Sequence, residues 1–125
     1  MTRNWFVQPE TARLELFGGE GWIEVKRELS YGERQRLAAG GLGKMSTSGA
    51  EIGLDLERYA IERVLIWVVD WSLSDAKGKQ VKIARDAVAN LSGEVADEID
   101  RALSEHIEKQ DAERAEKNAE KTATS

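Results

Sequence analysis

The chain has 125 residues, of which 41% are hydrophobic and 33% charged, with a net charge of −5, one proline and no cysteine. That suits a single domain with a real core and leaves too little chain for two full domains. Without cysteine there are no disulfides or thiolate metal sites, and a lone histidine, His106, excludes paired-histidine metal centres. The longest uninterrupted apolar run, residues 64–69, is far short of the roughly 20 residues needed to span a bilayer, and Asp70 ends it. Neither a membrane anchor nor a secretory leader is therefore expected, since Trp5-Phe6-Val7 is soon followed by Pro9.

Residues 12–17 alternate apolar and charged side chains, Gly18-Gly19-Glu20-Gly21 supplies a turn, and Trp22-Ile23-Glu24-Val25-Lys26 resumes the alternation. This predicts a β-hairpin over about residues 12–26, with Leu14 and Leu16 on one face, covered by Trp22 and Val25 from the second strand. An isolated hairpin is marginal in water, so it is expected to dock on helices. Ser30-Tyr31-Gly32-Glu33 is a capping box that starts a short helix, which Gly40-Gly41 ends. The glycine- and serine-rich stretch 40–50 is read as a flexible linker.

From Leu54 onward the spacing of Leu56, Tyr59, Ala60, Val64, Trp67 and Val68 is helical, and the apolar run predicts a central core helix. On that reading Trp67 and Trp71 lie one turn apart. The β-branched Ile66, Val68 and Val69 leave a strand open for its last part. Asp75 to Lys79 carries turn chemistry. A short helix over residues 85–90 follows, then Ser92 as a cap and a longer helix whose Val95, Ile99, Leu103 and Ile107 recur every four residues. The fold class expected is thus α+β, mainly α, compact over residues 1–107. Residues 108–125 are charged, polar or alanine and are expected to form a frayed or disordered tail.

Constellations that would signal catalysis fail on inspection. Ala38-Ala39-Gly40-Gly41-Leu42-Gly43-Lys44-Met45 lacks the first glycine and the magnesium-binding hydroxyl of a phosphate-binding loop. His106 has Ala102, Leu103, Lys109 and Gln110 as its helical neighbours, so no second ligand or orienting carboxylate is supplied, and a half-exposed place at the edge of the stripe is expected. Asp70 reads as a helix-end cap or ion-pair partner and Asp75 as a turn opener, not as a pair of catalytic carboxylates. Neither catalytic residues nor a cofactor or metal site is expected, and the chain is read as a non-enzyme.

Lys77, Lys79, Lys82 and Arg85 form a basic cluster without stacking aromatics in an acidic chain, which disfavours nucleic acid and suits acidic helices of a partner or of a second copy. Trp5 and Phe6, in a polar arm, are candidate contacts. The expected partner-binding set is Trp5 and Phe6, Ile99, Leu103 and Ile107 from the four-residue stripe, and Lys77, Lys79 and Lys82.

The order of Trp22-Ile23-Glu24-Val25, Leu29-Ser30-Tyr31-Gly32-Glu33, a glycine-rich gap, an apolar helix and Val69-Asp70-Trp71-Ser72-Leu73-Ser74-Asp75-Ala76-Lys77-Gly78-Lys79 resembles the tail assembly chaperones of long-tailed bacteriophages. The likeness covers roughly residues 20–107, with Leu91 and Ile99 continuing it downstream. Lys79-Gln80-Val81 departs from it where such proteins carry a proline-containing segment. The resemblance implies a non-enzymatic protein of virion morphogenesis in the host bacterial cytoplasm, absent from the mature virion. Its implied partners are the tape-measure protein, which it keeps soluble, and tail-tube subunits, which it helps recruit; no nucleic acid or membrane is expected, and a homo-oligomer is allowed. In that family a longer form often arises by ribosomal frameshifting. The alternative is a structural virion subunit, such as a tail-completion or connector protein, which would need a persistent self-complementary interface.

Overall fold

The computed structural model describes residues 5–40 and 56–123, with side chains described through residue 116. Strands β1 (Thr11–Leu16), β2 (Gly21–Lys26) and β3 (Val68–Trp71) form one antiparallel sheet in the order β1-β2-β3. Among the described residues four helices accompany it: α1 (Tyr31–Gly40), α2 (Leu56–Trp67), α3 (Arg85–Ala89) and α4 (Gly93–Ala123). The fold is α+β and mainly α, as the sequence pattern implies. The linker expected over residues 40–50 lies outside the described residues from position 41 on.

The hairpin forms where predicted, but its turn is a 3-10 segment, Phe17–Gly19, in which Phe17, Gly18 and Gly19 all adopt positive φ. Only glycine takes such values without strain, so the paired glycines let the chain reverse here. The backbone N–H of Phe17 is held by the Glu98 carboxylate of α4, which ties the turn to the long helix.

Strand register sets which residues face the core. Leu14 opposes Ile23, which opposes Trp71; Ala12 opposes Val25, which opposes Val68. Opposed residues share a face, so these two rows line the inner side of the sheet. Trp22 is consequently on the outer face and not over Leu14 and Leu16 as expected. There it stacks under the Arg13 guanidinium, 3.7 Å from the ring centroid, and Ile23 takes the inner position.

β3 begins where α2 ends. Its pairing slips between Glu24 and Val25, so that Val69 is an extra, bulged residue and is exposed. The bulge turns both Val68 and Trp71 inward although they are three residues apart. Trp71 therefore belongs to the sheet, not to a helical turn above Trp67. Its indole Nε1 donates to the Val81 carbonyl at 2.6 Å, which pins the following loop against the strand. Asp70, on the outer face, accepts from the Trp71 N–H and from Gln80 instead of ending a helix. Asp75 does open the turn: its Oδ1 accepts from the Lys77 and Lys79 amides, and Gly78 sits at φ 80°.

Under the sheet lie Val64 and Trp67 of α2 and Ile99, Ala102 and Leu103 of α4, all buried. His106 is also buried, at 6% exposure, and not half-exposed. The Lys26 carbonyl can only accept, so Nε2 carries the proton and donates across 3.0 Å from α4 to the end of β2. The imidazole meets the Trp67 ring edge-on, 5.6 Å between centroids. Helix α4 runs on without interruption past Ile107 to Ala123, so no element boundary falls at the start of the charged tail. Ion pairs of Arg101 with Glu98 and Glu105 staple its exposed side.

The capping box forms as read. Glu33 N–H donates to Ser30 Oγ at 3.2 Å, and Ser30 N–H donates to Glu33 Oε1 at 2.9 Å. Glu33 also pairs with Lys26 of β2, so the cap joins α1 to the sheet. At its other end α1 crosses α2 closely: a Cβ on Gly40 would come 2.9 Å from Glu62 Cγ, so this position requires glycine.

The cap makes stability depend on pH. Burial pushes the Glu33 carboxyl upward, but the hydrogen bonds from Lys26 and Ser30 outweigh it and hold the pKa below the usual 4.5. Glu98 is also lowered, chiefly by its hydrogen bond from Arg101. A depressed carboxylate stabilises the fold above its unfolded pKa and loses that contribution as pH falls through its folded value. Asp100 acts in the opposite sense, since burial raises its pKa. Thermal melts should therefore show Tm falling as pH is lowered below about 4.5, and Glu33→Gln should flatten that fall relative to the parent chain.

Candidate functional site

Three helices meet in a cleft of about 290 Å³ beside the core. The capping box directs α1 so that Leu37 and Ala38 form one wall; Tyr59, Arg63 and Trp67 of α2 form the second. Ile107, Gln110, Asp111 and Arg114 of α4 form the third, and Leu29 closes the end. The base is thus apolar and aromatic, while Arg34, Arg63 and Arg114 stand around it with the carboxylates Glu28 and Asp111. Arg63 is steadied by donating to Ser104 Oγ at 2.9 Å, and Arg114 lies 3.9 Å from Asp111. Among the described residues Trp67 Nε1 is the buried side-chain polar atom without a partner, a cost that buried indole N–H groups normally avoid.

The expected partner-binding residues divide sharply. Ile107 is half-buried and lines this cleft. Trp5 and Phe6 are 77% and 83% exposed, outside any helix or strand. Lys77, Lys79 and Lys82 are exposed around the Asp75 turn and its exit, away from the cleft lining. Ile99 and Leu103 must be withdrawn as contact residues: both have 0% exposure because that part of the stripe packs beneath β1 and β2. Past the end of the sheet the same stripe emerges, which is why Ile107 remains accessible.

Leu29, Leu37, Tyr59 and Trp67 join Ile107 in the cleft without having been singled out as contacts. Trp67 carries a signal in retrospect, as an aromatic on the α2 face that also bears Tyr59 and Arg63 at helical spacing. Leu37 carries none, because α1 has too few apolar residues to define a face.

The apolar base with charged groups at its rim is an arrangement suited to binding. Among the described residues there is no group of three or more metal-ligating side chains. Asp70 and Asp75 accept backbone hydrogen bonds, in a strand and a turn respectively. No helix of the described residues is long and apolar enough to cross a membrane. Comparison with protein-family models, curated proteins and solved structures finds no match.

Proposed function

We propose that this protein is a tail assembly chaperone of a long-tailed bacteriophage that binds a helical segment of the tape-measure protein and helps recruit tail-tube subunits. On this reading it acts in the host bacterial cytoplasm and leaves before the virion is complete. The observation that supports it is the cleft between α1, α2 and α4, whose apolar base and rim with more arginines than carboxylates fit an amphipathic helix carrying acidic residues beside its apolar stripe. Trp5 and Phe6 add exposed aromatic surface of the kind that anchors partners. The sequence order over roughly residues 20–107 supplies the family reading.

Co-expression with the tape-measure protein of the same genome tests the proposal. The tape-measure chain should become soluble and co-elute with this protein, while purified particles should lack it by mass spectrometry. A tape-measure chain indifferent to this protein, together with its presence in particles, would favour a tail-completion or connector subunit instead.

A further inference from the structure

We propose that two copies of this chain associate through the free edge of β1, giving a twofold dimer whose antiparallel sheet runs from one copy into the other. This inference is independent of the chaperone reading.

β1 is an edge strand, paired on one side only. The Arg27 amide donates to the Glu10 carbonyl, and the same register continues through Ala12 opposite Val25 and Leu14 opposite Ile23. Alternate residues of a strand point their backbone groups to opposite sides, so Thr11, Arg13 and Glu15 present their N–H and C=O groups outward. Among the described residues these outward groups have no partner.

The two edges of the sheet differ. β3 is short, bulged at Val69, and covered at its end by Gln80, whose amide caps the Trp71 carbonyl. Those are the usual defences against strand addition. β1 has six regularly paired residues with no bulge or proline inside it; Pro9 stands just before its start.

The exposed edge is self-complementary. With Leu14 opposite Leu14 of a second copy, Arg13 falls opposite Glu15, and Glu15 opposite Arg13, in the outward-pointing positions that exchange backbone hydrogen bonds. Moving the centre by one residue in either direction places Arg13 against Arg13 or Glu15 against Glu15, so charge selects a single register. Glu15 has no ion pair within its own chain among the described residues, whereas Arg13 lies 4.0 Å from its own Glu24 and 3.7 Å over the Trp22 ring, contacts that the partner's Glu15 would share.

Helix α4 lies below this edge. A groove runs between residues 11–15 of β1 and the α4 flank that carries Arg101, Glu105, Lys109 and Glu113, alternating in sign every four residues.

Sedimentation equilibrium of the full chain at low salt tests this. The parent chain should dimerise, and the dimer should weaken as salt is raised. Glu15→Arg and Arg13→Glu should each raise the dissociation constant about tenfold or more, with circular dichroism unchanged. An equimolar mixture of the two variants restores both opposite-charge pairs and should recover the dimer, as should the double reversal in one chain. A monomeric parent chain, a dimer indifferent to Glu15→Arg, or failure of both the mixture and the double reversal to recover it would overturn the proposal.

Discussion

Trp71→Ala is expected to lower stability by about 3–5 kcal/mol, the largest loss from any single truncation in the sheet. The ring is 1% exposed, stands opposite Ile23 at the centre of the inner face, and is too large for neighbouring side chains to fill its place. Its removal also strips the Val81 carbonyl of its donor, so the loop after β3 loses its anchor. At this chain length each kcal/mol moves Tm by about 4 °C, and a thermal melt should therefore shift downward by more than 10 °C. Trp71→Phe separates the two contributions: it keeps most of the apolar volume and should retain more than half of the lost stability.

Leu103→Ala is expected to cost about 2–5 kcal/mol, again by leaving a cavity in a close-packed interior. Leu103 is fully buried on α4 under the hairpin. The result separates two roles that sequence spacing alone does not distinguish. A contact residue on the surface would leave the melt within about 0.5 kcal/mol of the parent and alter binding only. Urea titration of Leu103→Ala beside Ile107→Ala checks this, since Ile107 is only half-buried and should give the smaller loss.

The contrast between these two residues also marks where the chain is legible. Local chemistry is readable wherever one short segment specifies its own geometry. Alternation defines β1 and β2, the Ser30–Glu33 box defines the start of α1, and Asp75 defines its turn. β3 is concealed because Val64, Trp67, Val68 and Trp71 have helical spacing, and a helix would bury them all equally well. Only the bulge at Val69, a feature of pairing with β2, lets a strand turn residues three apart to one face.

Site residues were readable to a smaller degree. A stripe of Val95, Ile99, Leu103 and Ile107 states that one side of α4 is covered, but not by what. The sheet takes Ile99 and Leu103, and Ile107 passes beyond it into the cleft. Burial of His106 likewise depends on a carbonyl distant in sequence, that of Lys26, which no helical neighbour list contains. Trp22 went to the outer face because the hairpin register, set by its 3-10 turn, places Ile23 opposite Leu14.

Whether the cleft between α1, α2 and α4 holds the partner is tested most directly by Ile107→Asp. The substitution places a carboxylate on the apolar lining where the cleft would receive an acidic amphipathic helix. Co-purification of the tape-measure protein with the parent chain and with this variant is the measurement, with circular dichroism confirming that both are folded. The parent should retain a soluble partner, and the folded variant should lose at least about tenfold of it. Equal recovery with both would contradict this, because the partner would then be held somewhere other than this cleft.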